Sequence, residues 1–197
     1  MKNVFIHGDF SKYRTDSLSH SIRLVESRNI EFSTEKTTVF ISHKHGELVD
    51  LEDVIAFFET QYNVRTYIDS RDPKMPETPN EETASRIKNK IAICNKFILL
   101  ATDAAIESKW CNWELGYGDA QKYKTNNIAL MPIGRLNAKY TGNEYLAIYP
   151  HIVKRELGES TYIDGRPIEP GYYVRRLEED GTYHLTKLKV WLNNKGD

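Results

Sequence analysis

The run KFILLAT, residues 96–102, is short and carries almost no polar content. A stretch of that length and apolarity suits a strand buried on both faces, the condition of a central strand in a parallel sheet. Similar runs surround it. TTVFIS (37–42) and VRTYID (64–69) come before it, and NIALMPIG (127–134), ended by Pro132 and Gly134, comes after. YLAIY (145–149) stops at Pro150 and reads as a fifth. Helical patterns lie between these runs. Leu51, Val54, Ile55 and Phe58 share one helical face, with Glu47, Asp50, Glu52 and Asp53 near the start, where negative charge is favoured. The proline-rich stretch SRDPKMPETPN leads to a second helix with Ala84, Ile87 and Ile91 inward. Its expected start is Thr78 as N-cap, Pro79 at the first helical position and Glu81 closing a capping box. DAAIES reads as a loop, followed by a third helix from about Ser108 to Tyr123.

Strands separated by helices of this length predict an α/β fold, a flavodoxin-like doubly wound parallel sheet of five strands spanning residues 37–155. The two ends read as additions. Residues 1–36 hold a short strand-like run, VFIH (4–7), and a helical pattern from Asp16 with Leu18, Ile22 and Val25 inward. Residues 156–197 hold YYVRRLEEDGTYHLT, a hairpin turning at Asp180-Gly181, and then LKVWL, the start of a last helix.

Charge excludes several classes of partner. Lys and Arg total 27 against 28 Asp and Glu, a net charge of -1, which is not the basic footprint of a nucleic-acid binder or a polybasic membrane anchor. No apolar run approaches the roughly 20 residues of a membrane span. The N-terminal apolar stretch is too short for a signal peptide and is broken by His7 and Asp9. Two cysteines, Cys94 and Cys111, are expected to be reduced thiols of a cytoplasmic protein.

Ligands of an open parallel sheet bind beyond the carboxyl ends of its strands. Here those ends carry Ser42-His43-Lys44, Asp69-Ser70-Arg71 and Thr102-Asp103. The third helix starts nearby with SKWCNWELG (108–116), which places Trp110, Trp113, Glu114 and Tyr117 at i, i+3, i+4 and i+7. A carboxylate within an aromatic stripe either lines a cleft or neutralises a buried cation. Ser42, His43 and Asp69 spell a triad, but neighbouring side chains of an extended segment point opposite ways, which argues against Ser42 as a nucleophile. His43 and His45 lack a Cys or a third His nearby and read as surface-loop histidines, so no metal is expected. GYG (116–118) lies inside a helix and is no dinucleotide fingerprint. Gly116 and Gly118 either let this helix pack close to the sheet or leave room for a ligand.

One carboxylate with aromatics is a poor kit for acyl or phosphoryl transfer, which need oxyanion donors or metal. It suffices for breaking an N-glycosidic bond whose leaving group is already cationic, as in NAD+. The developing oxocarbenium ribose needs a negative charge beside it, and indole rings can face planar or cationic bases. On spacing alone this is one option among several.

Over roughly residues 37–155 the chain resembles bacterial TIR domains, through TVFISHKH, VRTYIDSRD, KFILLAT and above all SKWCNWELG. The resemblance implies Glu114 as the catalytic residue of NAD+ cleavage, with NAD+ as substrate and no cofactor. It also implies that Trp110 and Trp113 line the nucleotide site within the segment opened by Ser108. By the same resemblance Ser42 and His43 flank the substrate, and Asp69 opens the mobile loop after the second strand. Self-association through TIR contacts is implied as well. So is kinship with the TIR component of Thoeris-type antiphage systems, whose ADP-ribose-type product signals to a separate effector. Two rivals stand beside this: a non-catalytic TIR scaffold, and a nucleoside deoxyribosyltransferase-like enzyme that also uses a glutamate in such a sheet.

Overall fold

A computed structural model describes residues 4–14, 36–46, 51–76, 78, 80–134, 147–157, 162–163 and 166–194. Strand β1 is Phe5–Ile6, followed by β2 (Thr38–Ser42), β3 (Arg65–Tyr67), β4 (Lys96–Ala101), β5 (Ile128–Gly134) and β6 (His151–Arg155). β7 (Tyr162–Ile163) and β8 (Arg166–Pro167) pair as a small ribbon, and β9 (Gly171–Leu177) and β10 (Tyr183–Lys187) form the hairpin. The helices are α1 (Leu51–Tyr62), α2 (Glu81–Ile93), α3 (Asp103–Glu107), α4 (Lys109–Lys122) and α5 (Leu188–Asn193).

Strands β2 to β6 run parallel in the spatial order β3-β2-β4-β5-β6. Counted within the core, this is the 2-1-3-4-5 order of a flavodoxin-like sheet, with its switch point between β2 and β4. The expected α/β architecture holds, and its cause is visible in side-chain parity. Val39, Ile41, Ile98, Leu100, Ala129 and Met131 pack on one face against α1 and α5. Their neighbours Phe40, Phe97, Leu99, Ile128 and Leu130 pack on the other against α2 and α4. Successive residues of a strand alternate between faces, so a sheet covered on both sides needs apolar residues at every position.

The fifth parallel strand differs from expectation. Of YLAIY, Tyr145 and Leu146 lie outside the described residues, and Ala147 and Ile148 form a helical turn. The strand begins only after Pro150, at His151, whose register partner is Leu130. Pro150 has no N–H to give a ladder, but its carbonyl accepts from Leu130 N at 2.8 Å, so it ends the turn and opens the strand.

The start of α2 also differs. Asn80, not Thr78, is the N-cap: its Oδ1 accepts from Thr83 N at 3.0 Å, and Thr83 Oγ1 accepts from Asn80 N at 3.2 Å. Pro79, Glu47 and Asp50 lie outside the described residues. DAAIES is largely the short helix α3, capped by Thr102, whose Oγ1 accepts from Ala105 N at 3.0 Å.

Both ends are built into the same sheet. β1 pairs in parallel with the last residues of β5, Ile133 and Gly134. The hairpin turns where expected, with Gly181 at φ +80, a conformation that costs glycine little, and β9 lies antiparallel to β6. Phe5, Phe10, Phe57 and Tyr172 pack as one aromatic cluster, with the Phe10–Phe57 and Phe57–Tyr172 ring centres 4.8 and 4.7 Å apart. Burying each such ring stabilises by roughly 1.5–3 kcal/mol. The helix expected from Asp16 falls outside the described residues.

Candidate functional site

Parity decides where Ser42 points. As the last residue of β2, two beyond Phe40, it belongs to the face covered by α4. Its hydroxyl donates to Glu114 Oε2 at 2.5 Å, so the end of β2 and the first turns of α4 meet at the switch point. Glu114 is 1% exposed. Its other oxygen, Oε1, has no hydrogen-bond partner among the described residues. Burial pushes its carboxyl up to about 8, the charge of Asp69 pushes the same way, and the Ser42 hydrogen bond opposes both. No cation acts on it among the described residues, which removes the reading of Glu114 as the neutraliser of a buried positive charge.

α4 is rotated from the expected stripe. Its buried face is Cys111, Glu114, Leu115, Gly118 and Lys122, while Trp110, Trp113 and Tyr117 are half-buried on its flank. Trp110 and Trp113 stack on each other, ring centres 5.0 Å apart at 26°. Lys88 of α2 holds its ammonium 5.6 Å from the Trp113 ring and 5.8 Å from that of Tyr117, so this flank faces α2. Gly118 explains the close seat of the inner face, since a Cβ there would stand 3.0 Å from the Phe97 ring. At Gly116 a Cβ would meet open space.

Ser108 is the N-cap of α4, its hydroxyl accepting from Cys111 N at 3.4 Å. Cys111 is buried, and its thiol is pushed up by burial, which suits a packing residue better than a nucleophile. Both cysteines are free.

Asp69 comes from the loop after β3 and is 4% exposed. His45 Nε2 lies 3.2 and 3.0 Å from its two carboxylate oxygens, and this hydrogen bond raises the imidazole pKa. His43 is not the surface histidine expected from its spacing. It is 5% exposed, its Nε2 lies 3.4 Å from Ser70 Oγ, and burial pushes it down to about 4 against the pull of Asp69. Ser42, His43, Asp69 and Glu114 are therefore neighbours of one locus, with Ser108 nearly two helical turns before Glu114 and the tryptophans on the flank. His45 and Ser70 complete it; from sequence, His45 reads as a surface-loop histidine and Ser70 sits at a strand end without a role. The His43-x-His45 spacing was the available signal, but only the fold brings Asp69 to it.

A parallel sheet in this strand order, with a buried carboxylate at its switch point, narrows the class. The chain belongs to the TIR domain family, whose model matches residues 39–166. Beyond the family, it is 31% identical over 84 residues to the probable 3' cyclic ADP-D-ribose synthase ThsB' of Bacillus cereus (strain MSX-D12). That match covers 42% of this chain and 42% of the relative, so the chain spans less than half of the relative's length. Among solved structures, a prokaryotic SEFIR domain aligns with a TM-score of 0.41 at 14% identity, over 56% of this chain and 77% of that one, too distant to bear on the site. No helix among the described residues is long and apolar enough to cross a membrane.

Proposed function

We propose that the chain cleaves the bond between nicotinamide and ribose in NAD+ and releases an ADP-ribose-derived product, with Glu114 as the catalytic residue. The observation that carries this reading is a carboxylate 1% exposed, held by one serine, with its second oxygen uncommitted at the switch point of the sheet. As the bond breaks, its electron pair goes to the nicotinamide nitrogen and cancels the pyridinium charge. Positive charge develops on the ribose, and an ionised Glu114 stabilises it. Water, or a nucleophile within the same nucleotide, then captures the sugar; the second outcome gives a cyclic product. Ser42 orients the carboxylate and lowers its pKa. His43 and Asp69 border the ribose, and the stacked Trp110–Trp113 pair on the flank of α4 is the aromatic surface proposed for a base, once Lys88 moves from Trp113.

The uncommitted oxygen also weighs against a pure scaffold. A buried carboxylate with an unmet hydrogen-bonding oxygen costs stability, and a scaffold gains nothing from keeping it. We further assign the product a signalling role in antiphage defence, read by a separate effector, from a cytoplasmic enzyme active in self-associated form. The test is incubation with NAD+ and, separately, with deoxynucleosides, followed by mass analysis. The expected result is nicotinamide with an ADP-ribose-type product from NAD+ alone. Consumption of deoxynucleosides with NAD+ untouched favours the deoxyribosyltransferase reading, and inertness towards both favours the scaffold.

A further inference from the structure

We propose that His43, His45 and Asp69 form a site for a divalent transition-metal ion of the zinc class, and that the bound ion ties the loop after β2 to the loop after β3. One ligand atom from each of the three lies within 4.8 Å of the other two. Two imidazoles and a carboxylate are a donor set that zinc favours, leaving a fourth position for water. The three come from two loops that only the β2–β3 pairing brings together.

A second observation points to a missing partner. His43 is 5% exposed; its Nδ1 has no partner of good hydrogen-bond geometry among the described residues, the nearby Ile41 backbone falling short of one, while its Nε2 has only the long 3.4 Å contact with Ser70. Buried polar atoms are rarely left so. Ser70 is placed as the outer-shell partner that orients a ligating imidazole. The His43 and His45 rings lie 5.1 Å apart at 35°, and half of the His45 side chain is exposed, which gives an ion a way in from solvent.

The regulatory part rests on the proposed NAD+ cleavage. Glu114 is 1% exposed, so a ribose reaches it only if its surroundings part; Ser42 ends the strand that runs into the first of the two loops, and Asp69 lies in the second. An ion with ligands from both loops opposes that parting. Zinc is then an inhibitor that leaves the catalytic carboxylate untouched.

The test begins with protein dialysed against chelator, titrated with ZnCl2 by calorimetry and with CoCl2 by visible absorption. Wild type should bind one ion per chain, with a rise in melting temperature, and His45→Gln should weaken binding by at least about tenfold, the low end of the loss from disturbing a metal's ligand shell. Asp69→Asn, a second ligand change, guards against a misfolded first variant. Absence of stoichiometric binding, or equal binding by wild type and both variants, overturns the site. These readouts need no turnover, so they decide the site even if NAD+ is not a substrate. Where chelated wild type does cleave NAD+, one equivalent of Zn2+ should slow it and leave His45→Gln unaffected. Binding without slowing overturns the loop-tying role.

Discussion

Each edge of the central sheet buries a charged side chain almost completely, and the two edges treat it differently. At the amino edge, Lys96 opens β4 and is 1% exposed. Its ammonium donates to Asn127 Oδ1 and sits 4.6 Å from the ring of Trp191, which α5 carries into place. At the carboxyl edge, Glu114 is as deeply buried but, among the described residues, holds one hydrogen bond and one bare oxygen. Burial pushes both groups towards neutrality, Glu114 up to about 8 and Lys96 down to about 8, with nearby Lys122 adding to the second shift. The lysine's surroundings supply an acceptor and a π-face. The glutamate's surroundings stop short, and the difference separates a structural charge from one left for a ligand to complete.

The sharpest way to break this comparison is Glu114→Gln, which keeps the shape and removes the charge. NAD+ cleavage should fall by at least about a hundredfold, the scale of losing one transition-state stabilising group. The fold should be as stable or more so. The sign with pH follows from linkage. A carboxyl whose folded pKa lies above its unfolded value keeps its proton longer when folded, so stability falls as pH rises towards about 8. His43, pushed down to about 4, contributes the opposite slope, but only below its unfolded value of 6.5. Denaturant melts in chelator between pH 6.5 and 8 should therefore show wild type losing more stability than the variant, on top of a fall that both share because the Asp69 hydrogen bond raises the His45 imidazole pKa. Lys96, with its folded pKa lowered, gives a rise above about 8 that both proteins should share. A variant that cleaves NAD+ at the wild-type rate would sink the mechanism.

Trp191→Phe tests the other edge. It keeps a ring beneath Lys96 but loses the indole N–H, which donates to Asn126 O at 2.7 Å. Leaving that carbonyl unpaired should cost about 2 kcal/mol in urea unfolding, with the NAD+ turnover of the folded protein unchanged. A loss of turnover without a loss of stability would mean the two edges are not independent.

Ser42→Ala gives the smallest effect and the most specific one. Removing the hydroxyl leaves Glu114 without the one hydrogen bond that holds its pKa down. The pH–rate profile for NAD+ should move about one unit alkaline, a roughly tenfold loss at pH 7 that shrinks to about twofold by pH 9 and vanishes by about pH 10. A uniform loss across pH would make Ser42 a packing residue only.

How much of this was legible in the sequence depended on whether local pattern and tertiary demand agreed. β2, β4 and β5 read clearly, because burial on both faces leaves no polar position to blur them. β6 did not: HIVKR contains a histidine, a lysine and an arginine, and only its pairing with both β5 and β9 makes it a strand. The cap of α2 was misplaced because Thr78-Pro79 offers a complete local signal two residues ahead of the Asn80–Thr83 box that forms. Glu114 stood out as a carboxylate among aromatics, yet the phase of α4 was misread. Its inner face contains Glu114, Gly118 and Lys122, so hydrophobicity points to the flank, while the seat is set by contact between Gly118 and Phe97. Asp69 meeting His45 has no local signal, because the two are joined only by the pairing of β2 with β3.

The aromatic cluster that joins the ends has a consequence for the chain's birth. The hydroxyls of Tyr13 and Tyr172 face each other at 3.5 Å across 159 positions of sequence. At a synthesis rate of roughly 5–20 residues per second, on the order of ten to thirty seconds separates their emergence from the ribosome. For most of that interval Phe5 lacks its β5 partner Ile133, and to the end of it Phe5 and Phe10 lack the Tyr172 ring. Such distant partners make closure slow and late, and the segment holding Phe5 and Phe10 is a natural client for a chaperone until then. The sheet is finished only when the hairpin arrives.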